Sequence, residues 1–289
     1  MVKNSFVFII NPIAGTRNKD HLESYIAEYS ALYQKPYEIR YTEYAKHLPI
    51  LIKELLAEGF QKIVIAGGDG TANEAAGAML HQDCSLSIIP MGSGNGLARH
   101  LKIPLDTKQA IERIFQAEQS FLIDVGMINE HYFVSNTGIG YDAELIRLYE
   151  KTPNRGLKTY VICGIKAYFS LKRFQYKQTS ENQYENSFLI GISNASEYGY
   201  GLKSAPKASL QDGKLNWVAT NISNKLSFLW VGIEFLLQKT SSTSFVQRKE
   251  VESLQLQFDT EVPVQIDGEF IGFIKQADIK ILPNALRVL

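Results

Sequence analysis

Through the first 125 residues, short runs of β-branched and aromatic residues alternate with stretches whose apolar positions recur at helical spacing. The runs at 6–10, 37–41, 62–66 and 86–90 predict strands, and the stretches at 21–32, 48–57, 71–79 and 107–115 predict the helices between and after them. This alternation predicts an α/β lobe whose sheet is mostly parallel and covered on both faces. Beyond about residue 125, strand-like runs at 132–136, 188–193, 214–219, 254–258, 262–266 and 277–281 predict an antiparallel second lobe. Helical patterns at 156–174 and 226–238 and a polar loop at 178–186 interrupt it. A chain of 289 residues is long enough for two such lobes, divided here as 1–125 and 126–283.

Composition narrows the class of function. Hydrophobic residues make up 45% and charged residues 21%, which fits a folded globular protein and excludes a disordered or collagenous one. Thirty basic residues balance thirty acidic ones, which argues against a nucleic-acid partner that needs one broad cationic face. Cys84 and Cys163 are too few for a disulfide framework and have no partners at metal-ligand spacing, so a reducing cytoplasm is expected. Because the sequence runs from Met1 straight into a strand-like segment, no cleavable leader is expected. Its longest apolar stretch, residues 228–237, contains Glu234 and is too short to span a bilayer.

Candidate chemistry lies in three glycine-bearing connections of the first lobe: Asn11-Pro12-Ile13-Ala14-Gly15-Thr16, Gly67-Gly68-Asp69-Gly70-Thr71 and Gly92-Ser93-Gly94-Asn95-Gly96. Each follows a strand, where an open α/β sheet binds ligands and where exposed amides and a helix N-terminus favour phosphate. Tight turns alone would also use glycine, but three such loops together point to a polyphosphate. Neither G-x-x-x-x-G-K-[ST] nor a complete G-x-G-x-x-G/A occurs, so Walker-type and dinucleotide-binding Rossmann enzymes are disfavoured. Asp69 is the exception in its loop, because a carboxylate roughly 4 Å from a phosphate repels it by about 4 kcal/mol at an effective dielectric of 20. It reads either as a helix N-cap or as a group that meets a bridging Mg²⁺ or a transferred proton.

The segment Gly67-Gly68-Asp69-Gly70-Thr71-Ala72-Asn73-Glu74, with Asn11-Pro12 and Pro90-Met91-Gly92-Ser93-Gly94-Asn95, resembles the diacylglycerol kinase catalytic-domain family, which includes bacterial lipid kinases and sphingosine kinases. The likeness continues through Ile123-Asp124-Val125-Gly126, the positions Phe133, Asn136, Gly138, Gly140 and Asp142, Leu210, Asp212, Gly213 and Leu215, and Asp267-Gly268-Glu269, so it spans nearly the whole chain. It implies a nucleotide-binding lobe of the NAD kinase or phosphofructokinase type, a C-terminal β-sandwich lobe and an active site in the cleft between them. It also implies that the last strand, about 284–289, returns to the first lobe.

Carried over by position, the resemblance implies an ATP site at Asn11, Gly15, Thr42, Gly67, Gly68, Asp69, Gly70, Thr71 and Ser93. It implies a proton acceptor at Asp267 or Glu269, and a structural Mg²⁺ held by the Asp212 side chain and the main-chain oxygens of Ser209 and Lys214. The sequence departs from many bacterial members at Gly92-Ser93-Gly94-Asn95-Gly96-Leu97, where they carry Gly-Thr-Thr-Asn-Asp-Phe, and is closer there to sphingosine kinases.

Read on their own terms, Asp267-Gly268-Glu269 follows a strand-like run and fits either a solvated hairpin tip or a base for an alcohol nucleophile. Asp212-Gly213 equally fits a plain turn, and Asp124, ending a strand at the lobe boundary, has no assigned role. From Lys151 to Lys177 there are seven basic residues and no acid. Within that window Val161, Ile162, Ile165, Tyr168 and Phe169 form a helical stripe bordered by Lys158, Lys166, Lys172 and Arg173. The stripe either packs on the second lobe or meets an anionic membrane surface.

The sequence therefore leads to a cytoplasmic, peripherally membrane-associated kinase that uses ATP and Mg²⁺ to phosphorylate a hydroxyl of diacylglycerol or a sphingoid base. A homodimer is left open. The rivals are an NAD kinase-like small-molecule kinase and a non-catalytic lipid or nucleotide sensor.

Overall fold

Five consecutive residues of the first strand, Phe6 to Ile10, are almost inaccessible to solvent, which sets that strand in the middle of its sheet. In the computed structural model, which describes residues 3–12, 21–153, 156–170, 172–199, 202–203, 205–220, 222, 224–236 and 246–289, the chain divides into two compact units. One comprises Met1–Asp124 with Pro283–Leu289, and the other Val125–Leu282.

In the first unit, β1 (Lys3–Ile10) lies between β2 (Tyr37–Tyr41) and β3 (Phe60–Gly67), and β4 (Ser85–Pro90) pairs with β3, all in parallel. The helices are α1 (Leu22–Tyr33), α2 (Leu48–Ala57), α3 (Asp69–Met79), α4 (Gly96–His100) and α5 (Thr107–Gln116). Asp106 caps α5 by accepting from the Gln109 amide at 3.0 Å. Phe115 of α5 packs its ring on Phe6 and Phe8, with centroids 5.2 and 5.7 Å away. The sheet gains a further parallel contact from residues 283–289, where Val288 stands opposite Leu86 and the Leu289 amide donates to the Leu86 carbonyl at 3.0 Å. The Asn284 amide also donates to the Asp124 carboxylate at 2.8 Å, which gives that buried acid a partner.

The second unit contains β5 (Phe121–Ile128, entering from the first unit), β6 (His131–Phe133), β7 (Asn136–Gly140), α6 (Tyr141–Glu150), α7 (Leu157–Ser170), β8 (Phe174–Gln178), β9 (Glu185–Ser187) and β10 (Leu189–Ser193). It continues through β11 (Glu197–Gly199), β12 (Leu202–Lys203), β13 (Leu215–Thr220), α8 (Lys225–Leu236), β14 (Val246–Val251), β15 (Ser253–Ile266) and β16 (Glu269–Val288, which ends in the first unit). The strand order is β14-β13-β10-β7-β15-β16, with antiparallel pairing from β14 through β16. Alternate residues of these strands, among them Ile190, Trp217, Phe258 and Ile279, close around one apolar core.

Several elements differ from the sequence expectation. The runs at 254–258 and 262–266 are one strand, β15, whose pairing with β16 is irregular between Gln257 and Val262. The helical pattern at 156–174 stops at Ser170, and Phe174 begins a strand. The run at 132–136 is split between β6 and β7. Helix α6 was not anticipated, because its acids, Asp142, Glu144 and Glu150, break up a short apolar pattern. The last two residues of the 226–238 pattern lie outside the described residues. Among the described residues, no helix is long and apolar enough to cross a membrane.

Candidate active site

In the first unit, the loops after β3 and β4 meet backbone to backbone. The Met91 amide donates to the Gly67 carbonyl at 2.9 Å, and a Cβ on Gly92 would lie 2.7 Å from the Gly68 Cα. Only glycine allows that approach. Asp69, at the start of α3, is what joins the loops: its carboxylate accepts from the Asn95 and Gly96 amides, both at 2.7 Å. Asp69 therefore does not cap α3, which starts after Gly68 without a side-chain cap. Its charge serves instead the amides that open α4.

Asn95 holds a left-handed backbone (φ 54°), and its side chain bridges back to the Gly92 amide and carbonyl at 3.0 and 2.7 Å. Arg99 steadies the same loop by donating to the Gly94 carbonyl at 2.9 Å. Sequence reasoning gives site roles to Asp69 and Ser93, includes Asn95 only as a motif position and omits Arg99, because the roles of the last two depend on the fold of the loop. Ser93 is half-buried on this loop, and Gly70 lies in the first turn of α3.

Beside α3 an open pocket is lined by Asn11, Thr42, Tyr44, Lys46, Thr71 and Glu74, among others. Three of the expected nucleotide residues, Asn11, Thr42 and Thr71, are thus brought together, while Gly15 lies outside the described residues. Thr42 is held by its amide donating to the Ile10 carbonyl at 3.1 Å. Tyr44 and His47 stack at the pocket with ring centroids 4.4 Å apart. Burial pushes the Glu74 carboxyl above its usual range, and nearby Lys46 partly opposes the shift.

In the second unit, Asp267 and Glu269 lie at the turn joining β15 to β16, with Asp267 at φ 46° and Gly268 at φ 84°. The Asp267 carboxylate is buried and accepts from three successive amides, those of Val134 (2.8 Å), Ser135 (2.8 Å) and Asn136 (2.9 Å). Glu269 is exposed. The turn is tied further by Gln265, 1% exposed, whose side-chain Oε1 accepts from the Gly268 amide at 2.8 Å. Gln265 Nε2 donates to Asn136 Oδ1 at 3.0 Å and Asp142 Oδ2 at 2.7 Å. Asn136 and Asp142 belong to the motif positions read from the sequence, whereas Gln265 carried no signal beyond a polar residue in a strand.

Asp212, Ser209 and Lys214 lie on a separate turn leading into β13. One Asp212 oxygen accepts from the Lys214 amide at 3.1 Å, and Ser209 Oγ accepts from the Gln211 amide at 3.2 Å. A carboxylate with nearby main-chain carbonyls is a hard oxygen donor set, which suits Mg²⁺ when waters complete the shell. Among the described residues no cluster of three or more His, Cys, Asp or Glu forms a metal-binding group.

Two family models match the chain. Residues 5–128 match the diacylglycerol kinase catalytic domain, and residues 135–289 match the YegS C-terminal NAD kinase beta sandwich-like domain. The chain belongs to this lipid kinase family. It is 25% identical over 244 residues to a "Probable lipid kinase YegS-like" from Chromohalobacter salexigens, covering 82% of this chain and 78% of the relative. It is 29% identical over 231 residues to a "Diacylglycerol kinase" from Staphylococcus saprophyticus, covering 75% and 73%. A crystal structure of a diacylglycerol kinase from Bacillus anthracis shares the fold, with a TM-score of 0.75 at 18% identity over 99% of this chain and 96% of that one.

Proposed function

We propose that the protein is an ATP-dependent lipid kinase that transfers the γ-phosphoryl group to a hydroxyl of a membrane lipid, either diacylglycerol or a sphingoid base. The observation that carries this reading is the pair of glycine loops clasped by Asp69 beside the pocket of Asn11, Thr42 and Thr71. Rigid, amide-lined loops at the head of α3 suit a triphosphate because phosphoryl transfer depends mainly on positioning and charge neutralisation. The Asp69 charge is taken up by two amides, which lessens the repulsion a bare carboxylate would exert on phosphate.

The proton acceptor comes from the turn between β15 and β16. Asp267 fixes that turn through three amides, and Glu269 is exposed two residues further on. A positioned carboxylate assists an alcohol nucleophile that is weak at neutral pH. Mg²⁺, when bound, supplies charge neutralisation, and Asp212 with the main-chain oxygens of Ser209 and Lys214 would hold a structural ion.

The test is to incubate the purified protein with labelled ATP and, separately, a total lipid extract or NAD, identifying products by mass spectrometry. A phosphorylated lipid is expected. Phosphorylation of NAD alone, or of nothing, overturns the reading.

A further inference from the structure

In the first unit, the connection between β2 and α2 folds back on itself beside the pocket. The His47 amide donates to the Tyr44 carbonyl at 3.2 Å, and Lys46 takes a left-handed backbone (φ 63°) within that turn. The turn lays the Tyr44 and His47 rings face to face, 16° from parallel. His47 Nδ1 accepts from the Glu43 amide at 3.1 Å, which fixes the imidazole against the loop. The His47 carbonyl accepts from the Ile50 and Leu51 amides, each at 3.0 Å, so the backbone beneath the ring is tied into the first turn of α2.

Tyr44 is 55% exposed although one face of its ring is covered by His47. The other face is open at a pocket whose wall is mostly polar, with Asn11, Thr42, Thr71 and Glu74. An acyl chain gains little from such a wall, whereas a flat heteroaromatic ring with hydrogen-bonding edges matches both the aromatic face and the polar groups. Strand order supplies the spacing. β1 lies between β2 and β3, so the loop after β2 stands two strand spacings, about 10 Å, from the glycine loop after β3. Phosphates at the glycine loop would set a sugar near Asn11 and Thr42 and a base beside Tyr44.

We infer that Tyr44, backed by His47, is the stacking platform for the nucleobase and makes this site prefer purine to pyrimidine nucleoside triphosphates. A bicyclic purine overlaps a phenol ring over more area than a pyrimidine does, and dispersion attraction grows with that overlap. His47 is a positioning residue: its ring, oriented by the Glu43 amide, restrains Tyr44 before a base arrives, so less side-chain freedom is lost on binding. The inference deepens the proposed function and rests on its nucleotide-binding part alone, not on the lipid acceptor.

Calorimetric titration of the intact protein with ATP, GTP, CTP and inorganic tripolyphosphate, in Mg²⁺ buffer without lipid, tests this. ATP and GTP are expected to bind more tightly than CTP. Tyr44→Ala should weaken both purine nucleotides about tenfold, leave tripolyphosphate binding and the melting temperature unchanged, and be rescued by Tyr44→Phe. His47→Ala should also weaken ATP, but by little more when Tyr44→Ala is already present, since the two residues act as one unit. The inference is overturned if Tyr44→Ala binds ATP as tightly as the parent, if the parent binds CTP as well as ATP, or if it binds no nucleotide. It is overturned equally if Tyr44→Ala loses tripolyphosphate along with ATP, because the ring then supports the loops and not the base. Lipid phosphorylation is assayed separately: its absence, with Tyr44-dependent purine binding intact, overturns the lipid-acceptor reading and supports this one.

Discussion

Gln265 and Asp142 meet at 2.7 Å in the interior of the second unit, both at 5% exposure or less, and through this contact the turn bearing Asp267 and Glu269 is tied to the first turn of α6. Asp142 can reach Gln265 because β7 has no side chain at position 138, where a Cβ would lie 1.9 Å from Asp142 Oδ2. Gly138→Ala should displace Asp142 and destabilise the protein by about 2 kcal/mol. Thermal denaturation checks this, and a loss of lipid phosphorylation larger than the unfolded fraction explains would show that the turn has moved.

Asp69 is expected to matter for architecture as well as for phosphate. Asp69→Ala leaves the Asn95 and Gly96 amides without their carboxylate and should cost about 2 kcal/mol of stability. The loop of residues 92–96 should then protect its amides less in hydrogen exchange, and nucleotide affinity measured by calorimetry should fall. Retention of wild-type affinity would separate the loop contact from binding.

The two acids of the β15–β16 turn should respond differently. Glu269→Gln is expected to lower kcat by about 10²-fold or more with no change in melting temperature, since its side chain is exposed. Asp267→Asn replaces an acceptor of three amides with a group that is partly a donor, so it should lose activity and also about 3 kcal/mol of stability. Circular dichroism melts alongside kinase assays distinguish the two outcomes.

Glu74 gives a pH signature. Its folded-state carboxyl lies above the ordinary value of 4.5, chiefly through burial. Between that value and the raised one, the folded chain keeps a proton that the unfolded chain releases, so this contribution to stability declines as pH rises through the window. Glu74→Gln should therefore be modestly more stable than the parent at neutral pH, and the difference should vanish below about pH 4. Melting temperatures of both proteins across that range test the sign.

Much of the first unit was legible because buried parallel strands and amphipathic helices leave strong local patterns, as at Phe6–Ile10 and in α5. The glycine loops were legible too, since the close backbone approach of Gly68 and Gly92 constrains residue type. What Asp69 bonds was not, because its partners Asn95 and Gly96 are 26 and 27 residues away. Gln265 was equally invisible: its partner Asp142 is 123 residues distant, and only the fold buries both. The outward stripe of α7 was readable as apolar, but its direction depends on Cys163, Gly164 and Ala167 being the residues small enough to approach the lobe.

The return of residues 283–289 to β4 has a consequence for biosynthesis. During translation residues 3–124 of the first unit emerge long before the strand segment that pairs with Leu86 and the amide that satisfies Asp124. That unit can reach its finished form only once residues 283–289 have emerged. Loss of residues 283–289 should therefore injure the half of the molecule that is synthesised earliest.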